Sequence, residues 1–381
     1  MRISRPEISR RNWLKGAAAL GATLAGGSPF AALAQPAARK TLVIDCHGHY
    51  TTEPKELLAF RQAEIAALKD PSQKPSIASL KISDDQLRES VQPQIKFQRE
   101  RGTDVALFSP RAAGMGHHIG TAETSAEWSR VSNEIIHRIC TLQPDNFIGV
   151  GQLPQSPGVR PDNCIEELER CVKSYGFVAV NLNPDPTGGF WRDPPLTDRW
   201  YYPVYEKLVE LDVPAMVHVS ASVNPNFQGT GAHYIAADTT AFMQFLTSDL
   251  FKDFPTLRMI IPHGGGAVPF HWGRYRGLAQ DMNRPPLEEL LLKNVFFDTC
   301  VYHQAGIELL FKVIPTDNIL FASEMLGAVR GIDPFTGHYY DDTKRYVDAL
   351  QLSPEDRRKV FETNAARVYR LDRTAYYQRK G

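Results

Sequence analysis

The sequence contains no C-x-x-C pair, and its five cysteines are an odd number: Cys46, Cys140, Cys164, Cys171 and Cys300. A disulfide framework and a structural zinc knuckle are therefore not expected, and the plain reading is buried free thiols. An excess of either charge is also missing. Lys and Arg number 43, and so do Asp and Glu. No global field draws the chain to nucleic acid or to an anionic membrane. No apolar run is long and apolar enough for a stable membrane span. No Gly-rich phosphate turn follows an early strand, which argues against an open doubly wound sheet. No internal repeat shows beyond an alternation of strand and helix patterns. Composition is otherwise that of a globular chain that can bury a sizeable core, with 43% hydrophobic and 23% charged residues. The length suits a large barrel with extras.

Residues 1–38 read as a targeting segment. Ser9-Arg10-Arg11-Asn12-Trp13-Leu14-Lys15 is a charged start, and residues 16–34 are a small, Gly/Ala-rich apolar run ending Ala32-Leu33-Ala34. The Arg10-Arg11 pair resembles a twin-arginine signal. Such a signal carries folded, cofactor-loaded proteins to the periplasm; if it is not used, the protein stays in the cytoplasm. Residues 39–381 are then one domain.

In that domain, eight short runs rich in β-branched or aromatic residues stand out: 41–45, 104–109, 146–151, 177–182, 214–219, 257–262, 294–299 and 318–323. They are nearly all apolar rather than alternating, as strands buried on both faces are. Helical patterns separate them, for example 161–175, 200–212 and 341–350. Eight strand–helix units predict a closed (β/α)8 TIM barrel. Residues 70–83 and 183–199, rich in Pro, Gly and Asp, read as long loops. The second follows strand four and is expected to act as a lid over the catalytic face. The tail from Arg373 is expected to be loosely held.

Barrel chemistry sits at the C-terminal ends of strands. Strand one ends in Asp45-Cys46-His47-Gly48-His49. Residues two apart on an extended segment share a side, so His47 and His49 can grip one cation. Strand five ends in His218, strand six in His263 and strand eight in Ser323-Glu324. Imidazole with carboxylate suits zinc, manganese or iron(II), with zinc the first expectation. His117, His118, His137, His271 and His338 fit no strand end and read as structural or surface residues. His233 reads as part of a loop after strand five, within reach of a substrate.

At these residues the chain resembles the amidohydrolase superfamily, in its decarboxylase-like branch. That branch carries H-x-H on strand one, His on strand five, H-x-G after strand six and an acidic residue, usually Asp, after strand eight. Here the positions are His47 and His49, His218, His263-Gly264-Gly265 and Glu324; the Glu is a departure that speaks against simple decarboxylation. A closer resemblance is to the 4-oxalomesaconate hydratases. It rests on Val43-Ile44-Asp45-Cys46-His47-Gly48-His49-Tyr50-Thr51-Thr52, Lys81-Ile82-Ser83-Asp84-Asp85, Phe108-Ser109-Pro110-Arg111, Asn181-Leu182-Asn183-Pro184-Asp185-Pro186, Pro262-His263-Gly264-Gly265-Gly266-Ala267-Val268-Pro269 and Phe321-Ala322-Ser323-Glu324-Met325.

The resemblance implies a metal-dependent hydro-lyase. It would hydrate 4-oxalomesaconate, or its enol, to 4-carboxy-4-hydroxy-2-oxoadipate in protocatechuate and gallate breakdown. It also implies that His47, His49, His218 and Glu324 hold the metal, with Glu324 acting as the base and His263 left as general acid or base. An export signal departs from a family whose pathway is cytoplasmic.

A di- or tricarboxylate substrate needs cations and hydrogen-bond donors. Arg111 and Arg330 are the cationic candidates. Asn183, Ser220, Tyr302 and His303 are the other substrate-binding candidates. A homo-oligomer is compatible with all of this. The rival activities are a metal-dependent decarboxylase of an unsaturated or aromatic acid, a lactone hydrolase on the same barrel, and a non-catalytic binding protein for metal or carboxylates.

Overall fold

The computed structural model describes residues 40–380, so the signal segment predicted over residues 1–38 lies outside the described residues. Thr41–Gly381 forms one compact unit. Its strands are β1 (Ile44–His49), β2 (Val105–Ser109), β3 (Phe147–Gly149), β4 (Gly151–Gln152), β5 (Val180–Leu182), β6 (Ala215–Val217), β7 (Met259–Ile261), β8 (Val295–Asp298) and β9 (Ile319–Leu320). Neighbours pair in parallel, β1 to β3 in one sheet and β4 to β9 in the other.

Only Val150 separates β3 from β4. Its N–H donates to Phe108 O at 2.9 Å, and the next N–H, of Gly151, donates to Ala179 O at 2.9 Å. The two pieces are one strand position that turns from one neighbour to the other. On the far side Cys46 N–H donates to Phe321 O, and Glu324 N–H to His47 O, both at 2.9 Å. Eight strand positions therefore close into a barrel, as the sequence predicts, and an open sheet is excluded.

The apolar strand runs now have a cause. Ile44, Val105, Leu107, Met216, Ile260, Phe296 and Leu320 point inward and fill the barrel. Their alternates Val180, Val217, Met259, Ile261, Phe297 and Phe321 point outward under the helices. Both faces are dry, so apolar residues dominate both. Among the described residues no helix is long and apolar enough to cross a membrane.

In the 183–199 loop the buried Asp185 carboxylate accepts the N–H groups of Thr187, Gly189 and Trp191 at 3.1, 2.7 and 3.2 Å, and Trp191 packs against Val219 and Tyr234. One expectation fails: the tail is not loose, and forms the helix Ala375–Lys380. Its Tyr376 is buried beside Leu42 and Leu371, adding to the interior cluster.

Candidate active site

His47 and His49 lie inside β1, at its last turn toward the catalytic face. Gly48 between them is required by closeness: a Cβ there would stand 2.8 Å from Leu107 O of β2. The register of β1 against β2 slips between Asp45 and Gly48, and both imidazoles come to face the barrel mouth. Their Nε2 atoms are 3.0 Å apart, and each is 3.1 Å from Nε2 of His218 just after β6.

Each outer nitrogen is engaged elsewhere. Nδ1 of His47 meets Asp298 Oδ2 at 2.8 Å, Nδ1 of His49 meets Ser109 Oγ at 2.7 Å, and Nδ1 of His218 meets Val219 O at 2.9 Å. A carboxylate and a carbonyl only accept, so the proton sits on Nδ1 of His47 and His218. Their bare Nε2 lone pairs converge. Burial, then the neighbouring imidazoles, hold His49 and His218 well below the usual histidine range. Lone pairs that face one another repel unless a cation sits between them. With one carboxylate oxygen of Glu324, the three Nε2 atoms form a ligand group whose atoms all lie within 4.8 Å of one another. The donor set fits a divalent metal, and the outward bonds are those that orient metal-bound imidazoles.

Glu324 is held in a left-handed backbone conformation, φ +50°, and Leu326 at +57°. Such residues cost about 1–3 kcal/mol each unless their surroundings fix them. Here they do. Glu324 N–H is held by His47 O, Leu326 N–H by Asp341 Oδ2 at 2.7 Å, and Gly327 N–H by Glu324 O at 2.7 Å. Gly327 must be glycine, because a Cβ would lie 2.5 Å from Glu324 Cγ. Tyr302 O–H donates to Glu324 Oε2 at 2.7 Å and aims the carboxylate.

His263 also has positive φ, +52°. Its Nδ1 donates to Asp238 Oδ2 at 2.9 Å, while the buried Nε2 has no partner. Burial opposes its charge, but Asp238, then Glu324 and Asp298, outweigh burial and lift His263 to about 9. Burial in turn lifts Asp238 to about 6, against the pull of His263.

A cavity of about 510 Å³ opens on His49, His218 and Glu324 and carries Arg111, Arg330, Thr51 and Tyr234 on its walls. Arg111 lies 3.9 Å from Glu53, whose carboxyl burial raises to about 7 against Arg111's pull. Arg330 donates to Leu326 O at 3.1 Å and Thr51 O at 3.3 Å, bracing the Glu324 turn. His303 is exposed and lines a second, adjoining cavity with Tyr302.

Asn183 and Ser220 line neither cavity. Both are buried. Asn183 Nδ2 donates to His117 Nδ1 at 2.9 Å and to Ser220 Oγ at 3.2 Å, so the pair is spent inside a structural network. His233 is likewise in no loop: it is buried near the start of the helix Gly231–Thr247. The next residue of the same helix is Tyr234, whose buried hydroxyl has no partner and which lines both cavities. The sequence reading missed Tyr234, Asp238, Asp298 and Ser109.

A family model described as Amidohydrolase matches residues 44–371. The chain is 56% identical, over 87% of its length and 97% of the relative's, to 2-keto-4-carboxy-3-hexenedioate hydratase of Sphingobium sp. (strain NBRC 103272 / SYK-6). It is similar to the crystal structure of 4-oxalomesaconate hydratase from Rhodopseudomonas palustris, with TM-score 0.82 and 60% identity over 87% of this chain and 97% of that one. Its fold is shared by a 5-carboxyvanillate decarboxylase from Novosphingobium aromaticivorans that holds manganese, with TM-score 0.64 and 20% identity over 87% of this chain and 97% of that one.

Proposed function

The chain belongs to the amidohydrolase family, and from that premise we propose that it is a hydro-lyase adding water to 4-oxalomesaconate or its enol in the breakdown of aromatic compounds. The observation that carries the reading is the 56% identity to a hydratase across almost the whole barrel. The carboxylate after the last strand, at the metal ligands, is Glu324. We read the cation as zinc, the commonest partner of three imidazoles and a carboxylate in hydration chemistry. When bound, a divalent cation supplies Lewis acidity, which lowers the pKa of water and polarises a substrate oxygen.

The protein's own groups do the rest. Water addition needs a base for one proton and a donor for the other. Glu324, aimed by Tyr302, accepts the proton of the attacking water. His263 keeps a proton beside the cavity through its pairing with Asp238, and its free Nε2 delivers one to the substrate carbon. Tyr234, with its unpartnered hydroxyl, donates a hydrogen bond to the bound acid. Arg111 and Arg330 offer cations to its carboxylates.

Product analysis in oxygen-labelled water tests the assignment. Solvent oxygen should enter the tricarboxylate with no release of CO2. Release of CO2 without label would make the protein a decarboxylase.

The proton carrier has its own check. His263→Asn should retain metal and lose ~10²-fold or more in turnover. Asp238→Asn removes the charge that lifts His263, so the basic limb of the rate profile should move to lower pH. An unmoved limb would mean that another group sets it.

A further inference from the structure

The hydration chemistry uses only the inner end of a second cavity, at His263, Tyr302, Tyr234 and Glu324. Its volume is about 520 Å³, and it shares Thr230, Tyr234, Glu324 and Ala328 with the first. The two cavities are arms that meet at the catalytic groups. Their walls differ. The first carries Arg111 and Arg330. The second is walled mainly by Ile235, Pro269, Phe270, Val301, Leu309 and Leu310. Phe270 is 75% exposed, so an aromatic face stands free at its rim.

A small polycarboxylate cannot use such walls, because desolvating a charge against apolar surface is costly. Yet the inner end of the apolar arm is polar. His263 Nε2 and Tyr234 Oη are buried there with no hydrogen-bond partner, and buried polar atoms are seldom left so. The arm therefore asks for a ligand with two ends: a flat apolar body outward and an anionic or hydrogen-bonding group inward. The room is ample, since a cavity of ~150 Å³ already holds benzene.

We propose that the apolar arm binds the ring of aromatic carboxylic acids, whose carboxylates reach the catalytic groups and the arginine arm. Such acids then compete with the hydration substrate. The proposal rests on the hydratase reading for the groups where the arms meet.

The test is calorimetric titration of the metal-loaded, full-length protein with malonate and with benzylmalonate. The two probes carry the same carboxylates and differ by one benzyl group. Burying that ring should tighten binding about tenfold or more. Ala305→Trp fills the arm from the exposed first turn of the helix Gln304–Val313, away from the catalytic groups. It should erase the benzyl advantage and leave malonate affinity unchanged. Leu309→Gln, which makes the wall polar, should shrink the advantage as well and guards against misfolding of the first variant. Equal affinities in the wild type overturn the proposal. So does a benzyl advantage that survives both substitutions, or failure of either acid to bind. If the benzyl advantage behaves as expected while no water adds to the tricarboxylate, the hydratase reading falls and the aromatic arm stands.

Discussion

Glu324→Gln should leave the fold intact, weaken metal binding somewhat and lower turnover by about 10³-fold or more. Glutamine keeps the shape and one acceptor oxygen but cannot take a proton. The backbone around it should not change, because the turn is fixed by main-chain bonds: Glu324 N–H to His47 O, and Gly327 N–H to Glu324 O. Tyr302 can still donate to the amide oxygen. The measurements are circular dichroism, metal per chain and single-turnover rate on one preparation. Removing a general base costs ~10²–10⁴-fold by itself; loss of a charged ligand adds to that. A variant with full metal content and near-normal turnover would show that Glu324 only positions, and the base would have to be sought among the other groups of the cavity.

The barrel was legible because its strands are buried on both faces, which forces apolar runs such as Met259–Ile261 and Val295–Asp298 to stand out against their surroundings. His47, His49, His218 and Glu324 were legible because strand ends are where a barrel places its chemistry. Their supports were not. Asp298 orients His47 from 251 positions away, and Ser109 orients His49 from 60. Nothing in a lone Asp or Ser announces a partner at that separation. Asn183 and Ser220 occupy strand ends too, but their side chains turn to His117 rather than to the cavity. Position at a strand end fixes where a residue is and leaves open which way its side chain points. Tyr234 and Asp238 were hidden for another reason. They sit four apart on one helix, so both fall on one helical face, and the Gly/Thr/Asn-rich stretch before it masks where that helix begins.

Replacing His47 and His49 together by Ala should remove the metal and, with it, all measurable hydration. Each side chain gives one of the three Nε2 atoms that meet at 3.0–3.1 Å. Losing both leaves His218 and Glu324, too few to hold a cation at four-coordinate geometry. The fold has reason to survive. Both side chains lie at the barrel mouth, and the bonds that close the barrel nearby, Cys46 N–H to Phe321 O and Glu324 N–H to His47 O, are main-chain. The cost falls on Asp298, which would lose its imidazole partner while buried. Burial works against its charge, and His47 heads the groups that nonetheless hold it below the usual carboxylate range. Asp298 keeps the N–H groups of Gly264 and Cys300 at 3.2 and 3.0 Å, so the loss of stability should be partial. Elemental analysis should find about one divalent metal per chain in the wild type and none in the variant, and thermal unfolding should show a lowered but cooperative transition. Full metal content in the variant would place the cation elsewhere. Full activity in a metal-free wild type would remove the metal from the reaction altogether.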